Sequence, residues 1–196
     1  MKKQAGFSLV ELVIVIIVVG LLAVAALPRF LNVTDEAKKA SIEGVAGGFA
    51  TAVLSARAQW EAYGRPQNAD SKNVVNYDGT EFFLSNGNTN GTISDGYPLF
   101  VTSSNRTATN VNSADCLELM DNLMQNPPAA TTSTTEAKNG NNLFFVRAQT
   151  VNSQRFCEYY QLASSDTSGN GDFDVNNSGH YFSYLPAKGQ VQVTLK

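Results

Sequence analysis

The chain has very few of the side chains from which catalytic and metal sites are built. Its 196 residues include one histidine, His180, and two cysteines, Cys116 and Cys157. A structural zinc site uses four cysteine or histidine ligands, and a single imidazole leaves little for acid–base catalysis. No GxxxxGK[ST] segment that would bind nucleotide phosphates occurs. We therefore expect a protein that is not an enzyme and that uses no cofactor.

Charge is also scarce. Charged residues make up 16% of the chain, and 14 lysines and arginines face 17 acidic residues, for a net charge of −3. A surface that binds a phosphate backbone needs an excess of basic side chains. Nucleic acid is therefore not an expected partner. Hydrophobic residues make up 43% of the chain, which is enough for one folded domain and an attached element.

What the sequence does contain is a long apolar segment at its start. Residues 12–27 carry no polar side chain, and the 21 residues from Phe7 to Leu27 carry only two, Ser8 and Glu11. A helix of this length is about 31 Å long, close to the roughly 30 Å of bilayer hydrocarbon. A lone strand would leave its backbone hydrogen bonds unmade in lipid. We therefore expect residues 7–27 to cross a membrane as a helix.

Three interpretations of this segment share one orientation. Lys2 and Lys3 precede the apolar residues, and the positive-inside rule places them in the cytoplasm and the remainder of the chain across the membrane. The segment is either a secretory signal removed after Ala23-Val24-Ala25, a permanent anchor, or a helix that remains after a short leader has been cut off. The length of the apolar segment and the helical pattern beyond it disfavour the removable signal.

Glu11 distinguishes the remaining interpretations. A carboxylate in an apolar helix costs roughly 2.5 to 3.5 kcal/mol on insertion scales, and a mere anchor does not need one. The sequence Gly6-Phe7-Ser8-Leu9-Val10-Glu11, after a short basic leader, resembles the class III signal of type IV pilins and related pseudopilins. The resemblance implies that a prepilin peptidase cleaves between Gly6 and Phe7 and methylates the new terminus at Phe7. Residues 1–6 would then be the leader peptide.

The carboxylate of Glu11 has a physical use after such a cleavage. The new amine of Phe7 would be a cation at the positive end of a helix dipole, in apolar surroundings, and would need an anion. Glu11 can neutralise the amine of its own chain or that of the next subunit. A charge pair in a dry core fixes register, because misaligned packing leaves both charges unpaired. In pilins the pairing between subunits is thought to do this, and we expect Glu11 to set the register of subunit assembly.

The helical pattern continues well beyond the apolar segment. Apolar side chains recur at steps of three and four residues between Ile42 and Trp60, and Gly64-Arg65-Pro66 predicts the end of the helix. We predict one helix over residues 7–63. Its second half would pack one side against a globular head, with Arg57 on the opposite side facing water or another subunit.

Two residues interrupt this predicted helix. Gly20 has low helix propensity, and Pro28 removes a backbone donor and crowds the preceding turn. The sequence therefore predicts a kink or a locally melted turn between them. The resemblance to pilins implies that this segment is helical in the membrane monomer and can lose helicity in a filament.

Residues 64–196 are predicted to form a turn-rich, β-rich head. Of 19 asparagines in the chain, 18 follow residue 60. A helix capped at Asp115 is predicted over 115–125, and 129–142 reads as a solvated loop. Four strands are predicted as an antiparallel meander packed on the long helix: 143–149, 154–162, 180–185 and 190–195. The fold class is α+β, and the resemblance implies the type IV pilin fold.

Cys116 and Cys157 lie in the part of the chain predicted to cross the membrane, into a compartment that favours disulfides. We predict a bridge between them that encloses about 42 residues and contributes roughly 4 kcal/mol of stability. The loop 116–157 also resembles the C-terminal disulfide loop of pilins, a frequent subunit contact.

The segment 166–177 is the one candidate cation site. Its oxygen ligands alternate as they do in calcium loops, but no frame supplies both the central glycine and the terminal glutamate of an EF-hand. Calcium binding and a polar turn between strands both stay open, and our prediction is no metal. The candidate ligands are Asp166, Asn170, Asp172 and Asp174.

The segment Ala26-Leu27-Pro28-Arg29-Phe30-Leu31-Asn32 and the helix after it most resemble mannose-sensitive haemagglutinin (MSHA) type IV pilins of Gram-negative bacteria. The resemblance implies a structural subunit held in the inner membrane with its head in the periplasm. The pilus assembly platform would then polymerise it with other pilin subunits, as a homopolymer or heteropolymer, into an extracellular pilus that serves adhesion.

Two alternatives remain beside this interpretation. A type II secretion pseudopilin has the same N-terminal signal and forms short periplasmic filaments. An enzyme or binding domain on an uncleaved anchor belongs to a different class. It would require paired catalytic groups, and none stands out in the sequence.

Overall fold

The computed structural model describes residues 8–101, 106–165, 173–175 and 178–196. The helices within these residues are α1 (Leu9–Ala62), α2 (Ser113–Leu123) and α3 (Thr134–Ala137), with a 3₁₀ turn at Leu162–Ser164. The strands within them are β1 (Val74–Tyr77), β2 (Thr80–Leu84), β3 (Pro98–Phe100), β4 (Ala130–Thr131), β5 (Phe144–Val151), β6 (Gln154–Gln161), β7 (Tyr181–Leu185) and β8 (Gln190–Thr194). The architecture is α+β, with a long apolar N-terminal helix and a head built on an antiparallel sheet, as the sequence predicted.

The chain divides into two compact units, Met1–Lys38 and Lys39–Lys196. Helix α1 contributes to both, since it begins in the first unit and ends in the second. Residues 39–62 therefore belong to the head, and the amphipathic half of the helix is part of the core of that unit.

The buried side of α1 within the head follows the predicted periodicity. Phe49 is its centre, with ring centroids 5.3 Å from Tyr159, 5.7 Å from Phe182 and 5.4 Å from Tyr184. These contacts pack the helix on the five-stranded sheet, so the predicted stacking of meander on helix is confirmed. The buried residues of the helix are Ile42, Ala46, Phe49, Ala52, Val53, Ala56 and Trp60.

Arg57 packs on the head and does not lie on the opposite side of the helix, where the sequence predicted that it would face water or another subunit. Its side chain is 33% exposed, and its guanidinium carbon lies 4.4 Å from the ring centroid of Tyr97. The guanidinium also donates a hydrogen bond to the Tyr97 hydroxyl. The attraction between a cation and an aromatic face draws the long arginine side chain over the head.

The five-stranded sheet has the order β4-β5-β6-β7-β8. Strands β5 to β8 form the predicted antiparallel meander, with bounds within two residues of the prediction. Asn152 and Ser153 both have positive φ, 48° and 62°, which is the conformation of a two-residue hairpin turn. The inner face of this sheet carries Tyr159, Phe182 and Tyr184, and its outer face carries Phe145 and Tyr160 in register.

The prediction of a solvated loop over 129–142 was wrong in part. Ala130–Thr131 pairs parallel with the start of β5, and Thr134–Ala137 forms one helical turn. Thr131 is buried, and its hydroxyl donates to the carboxylate of Glu136 at 2.7 Å. A polar sequence forms structure here because its side chains satisfy one another and its backbone pairs with a distant strand.

A second sheet was not predicted at all. It has three antiparallel strands in the order β1-β2-β3. Asp78 and Gly79, with φ of 49° and 84°, make the tight turn between β1 and β2. The Tyr184 hydroxyl donates to the carbonyl of Pro98 at 2.8 Å and so ties this sheet to the larger one.

Helix α2 starts earlier than predicted, and its cap is Asn112 rather than Asp115. The Asn112 side chain accepts from the Asp115 N–H at 2.9 Å, and the Asp115 carboxylate accepts from the Asn112 N–H at 2.8 Å. Asp115 is therefore the third helical residue of a reciprocal capping box. It is buried, and its carboxylate also pairs with Arg106.

Helix α1 is unbroken through Gly20 and Pro28. The locally melted turn expected at these residues is therefore not present in this monomer. Proline can remain within a helix where the carbonyl it leaves unpaired finds another partner, at a cost of roughly 3 kcal/mol. The kink at this position stays a prediction.

Candidate functional site

The start of α1 is built by two polar side chains in an otherwise apolar sequence. The N–H of Ser8 donates to Glu11 Oε2 at 2.8 Å, and the N–H of Glu11 donates to Ser8 Oγ at 3.2 Å. Ser8 is the N-cap, because its carbonyl accepts the first backbone bond of the helix from Leu12 at 3.2 Å. Together they form a capping box, which satisfies two amides that a helix start otherwise leaves unpaired.

The role of Ser8 was missed by the sequence analysis, which considered Glu11 alone. A serine followed three residues later by a glutamate, just before an apolar segment, is the sequence signal of a capping box and would have identified it. The predicted cleavage and methylation residues, Gly6 and Phe7, lie outside the described residues. The structure therefore describes Glu11 but not the terminus at Phe7 whose amine this carboxylate is expected to neutralise.

The surface of α1 after Glu11 is apolar and solvent-exposed. The large hydrophobic side chains from Leu9 to Val33 have exposed fractions from 38% at Val13 to 78% at Leu9. Glu11 is the only charged residue between Ser8 and Pro28. One carboxylate therefore stands on an apolar surface far larger than the few hundred Å² that soluble monomers commonly leave uncovered.

This helix is long and apolar enough to cross a membrane. An 18-residue window within Leu9–Ala62 has a mean hydropathy of 3.1, and none of that window is buried in the structure. Its length and composition are also those of an N-terminal signal sequence. The core helix of a soluble protein can have the same composition, but such a helix is mostly buried, and this one is not.

Cys116 and Cys157 form the predicted disulfide, which joins α2 to β6 with a Cα–Cα distance of 5.4 Å. Both residues are fully buried. The Tyr159 hydroxyl donates to the carbonyl of Cys116 at 2.8 Å, beside the bridge. Burial raises the pKa of Tyr159 well above its ordinary value, and the charge of Asp121 adds to the shift. The bridge thus sits in a dry core that holds α2 on the sheet.

The outer face of the larger sheet carries a closed polar network. Arg147 donates from Nε to the Glu158 carboxylate at 2.7 Å and from Nη2 to the Tyr160 hydroxyl at 2.7 Å. The Tyr160 hydroxyl donates to the same carboxylate at 2.6 Å. Burial raises the pKa of Tyr160, and the hydrogen bond and charge of Glu158 raise it further. The three groups satisfy one another, so the network stabilises the sheet and presents no activated nucleophile.

The described residues contain no group of three or more histidine, cysteine or acidic side chains that could hold a metal ion. Of the calcium candidates, Asp166, Asn170 and Asp172 lie outside the description, and Asp174 alone is within it. His180 is buried, and its Nδ1 accepts from the N–H of Lys196 at 3.0 Å. Tyr159 and Tyr160 are likewise buried.

The N-terminal segment matches a known family model. Residues 1–27 match the model described as the prokaryotic N-terminal methylation motif. The match covers the leader, Glu11 and the apolar part of α1, and it includes both residues predicted for cleavage. Processing by a peptidase is what the motif implies.

A curated protein is similar over a longer stretch. Over 57 residues the chain is 39% identical to the type IV narrow pilus major component PilA5 of Thermus thermophilus, which is 29% of this chain and 49% of that protein. The chain thus spans about half the length of this relative. No solved structure matches the chain.

Proposed function

We propose that this chain is the precursor of a structural subunit of a type IV pilus. A prepilin peptidase cuts it between Gly6 and Phe7 and methylates Phe7, and the mature chain polymerises through the apolar surface of α1. The observation that carries the proposal is the combination of the methylation motif over residues 1–27 with a single carboxylate on an exposed apolar helix. A filament core covers such a surface, and an amine on the next subunit pairs with such a carboxylate.

The order of events follows from what covers the apolar surface of α1 before and after assembly. Before assembly, lipid covers residues 9–27, since an apolar helix of this length spans the hydrocarbon. The head lies on the periplasmic side because Lys2 and Lys3 hold the N-terminus in the cytoplasm. On assembly, helices of other subunits replace the lipid, and the assembly platform drives this transfer. The PilA5 match supports this assignment, because that relative is named as a pilus major component.

We further propose that the filament is of the MSHA type and serves surface attachment of a Gram-negative bacterium. The support is the resemblance of residues 26–32 to that pilin class. Subunits of one kind or several kinds would make up the filament, and the disulfide-closed head would form its outer surface.

Immunogold labelling of whole cells tests the proposal. Antibodies against the head should decorate long extracellular filaments along their length, and a deletion strain should lack both filaments and label. Restoring the gene with Gly6→Val, which places a branched side chain at the proposed cleavage position, should return the protein to the membrane but not the filaments. Label confined to the periplasm would favour the type II secretion pseudopilin, and label on the cell envelope without filaments would favour an anchored domain.

A further inference from the structure

The asparagine-rich head contains a chemically labile dipeptide in several copies. Three Asn-Gly pairs lie within the described residues: Asn86–Gly87, Asn90–Gly91 and Asn139–Gly140. A fourth pair, at 170–171, lies outside them. The reacting dipeptide is identical in the three pairs, so we attribute differences in reactivity between them to the fold.

The reaction in question is intramolecular deamidation. The backbone nitrogen of the glycine attacks Cγ of the asparagine, and a new N–C bond closes a five-membered succinimide ring. The Cγ–Nδ2 bond breaks, and ammonia leaves with the proton of the glycine N–H. Water then opens the ring at either carbonyl and yields aspartate or isoaspartate. Glycine favours the attack because no Cβ obstructs it.

In the pair Asn86–Gly87 the fold restrains both reacting groups. The Asn86 amide nitrogen donates to the carbonyl of Ser71 at 3.0 Å, and its oxygen accepts from the N–H of Asn73 at 3.3 Å. The attacking N–H of Gly87 donates to the carboxylate of Asp95 at 2.5 Å. The reaction therefore requires that three hydrogen bonds be broken.

In the pair Asn90–Gly91 the fold restrains the attacking group. The N–H of Gly91 donates to the carbonyl of Asn88 at 3.0 Å. The carbonyl of the same glycine accepts from Lys188 Nζ at 2.5 Å, so both sides of this residue are held. Its backbone nitrogen must leave a formed turn before it can attack.

The pair Asn139–Gly140 lacks these restraints. Both residues are exposed in the turn between α3 and β5. Asn139 is tied by its backbone, which donates to the carbonyl of Glu136 at 3.1 Å. Among the described residues, neither its side-chain amide nor the N–H of Gly140 has a hydrogen-bond partner. Apart from the adjoining residues, no atom lies within 4 Å of the position where a Cβ on Gly140 would stand, and the same holds for Gly91, so the hydrogen bonds are what distinguish these two pairs.

We propose that Asn139 is a deamidation site of this chain, and that the folded head protects Asn86 and Asn90 from the same reaction. Each conversion at Asn139 adds one carboxylate to an exposed turn and changes the net charge from −3 to −4, that is −3 minus 1. Isoaspartate also inserts one extra backbone atom at that turn. The inference rests on the chemistry of the head alone and is independent of the proposed role in a pilus.

The test follows the three pairs in the same molecule. The purified full-length chain in detergent micelles is held at mildly alkaline pH, and samples are digested and mapped by mass spectrometry with separation of the aspartate and isoaspartate products. The initial rate at Asn139 should exceed the rates at Asn86 and Asn90 by at least about fivefold, since one net hydrogen bond corresponds to roughly that factor. In a parallel sample in guanidinium chloride all three pairs are unfolded. The three deamidation rates should then agree to within about twofold, a smaller difference than one hydrogen bond produces.

A native ratio below fivefold, no conversion at Asn139, or a ratio that persists in the denatured chain would overturn the proposal.

Two variants sharpen the result. Asn139→Gln should abolish the acidic species that arises there, because the longer side chain requires a six-membered ring. Asp95→Ala removes the acceptor of the Gly87 N–H and should raise the rate at Asn86 several-fold, whereas Asp95→Asn keeps an oxygen acceptor and should not.

Discussion

Ser8 and Glu11 exchange two hydrogen bonds across the first turn of α1, at 2.8 Å and 3.2 Å. The carboxylate that the proposed assembly needs for a neighbouring amine is thus already positioned by its own helix. A capping box is typically worth about 0.5 to 2 kcal/mol. This free energy is small beside the cost of an unpaired charge in an apolar core. An ion pair between Glu11 and the amine of another subunit can therefore replace the hydrogen bonds of the capping box.

The first prediction concerns this carboxylate. Glu11→Ala should leave membrane insertion and cleavage intact and should abolish pili counted by electron microscopy, because the amine of Phe7 then lacks its counter-charge. Glu43→Ala, which removes an exposed acid from the same helix, is the matched control and should leave pili at wild-type number. Normal pili from the Glu11 variant would refute the role in register.

The second prediction concerns the bridge between Cys116 and Cys157. The double replacement by serine should lower the free energy of unfolding of the head by about 4 kcal/mol, since the unfolded chain regains the freedom of the closed loop. Chemical denaturation followed by the fluorescence of Trp60, the single tryptophan and a buried one, measures this. Dithiothreitol should destabilise the wild type equally and the double variant not at all. An unchanged wild-type midpoint under reduction would contradict the prediction.

The third prediction concerns Phe49, which touches three aromatic rings of the sheet. Phe49→Ala should cost about 3 to 5 kcal/mol in the same assay, because it leaves a cavity between α1 and the sheet. Leu54→Ala is the control on the same helix, since that side chain is 57% exposed. Similar losses for both variants would mean that the helix is not packed as described.

The fourth prediction concerns pH. Folding raises the pKa of Tyr159, Tyr160 and Tyr184 through burial. The stability this contributes is fully present below the unfolded tyrosine pKa of about 10 and is lost as the pH rises above it toward the folded values. Absorbance at the tyrosinate band should show these three tyrosines ionising late, together with unfolding.

One variant checks that assignment. Tyr160→Phe should reduce the late step from three groups to two. Ionisation of Tyr159, Tyr160 and Tyr184 before any loss of fold would contradict the burial of these hydroxyls.

Much of the fold could be predicted from local pattern. The periodicity from Ile42 to Trp60 identified the helix, and alternation with polar turns identified β5 to β8 within two residues. The disulfide followed from the predicted compartment of its two cysteines. These features depend on neighbours in sequence, or on the only possible pairing, and so a single sequence reveals them.

Some of the features that were missed depend on distant partners, and others had a local signal that was not used. Phe82-Phe83-Leu84 do not alternate, and their strand is stabilised by β3, which lies beyond a long polar loop. Asp78-Gly79 was an available hairpin signal. Both Asn112 and Asp115 are residue types that commonly cap a helix such as α2. In the structure Asn112 is the cap, and Asp115 forms an ion pair with Arg106. For the candidate site, the serine of the capping box was present in the sequence but its spacing from Glu11 was not used.

The most direct test of the account is the amino terminus of the mature protein. Edman degradation and mass spectrometry of chains from purified filaments should show N-methylated Phe7 as the first residue and no trace of residues 1–6. A chain that begins at Met1, or at any residue other than a methylated Phe7, would contradict the proposed processing and the assembly that depends on it.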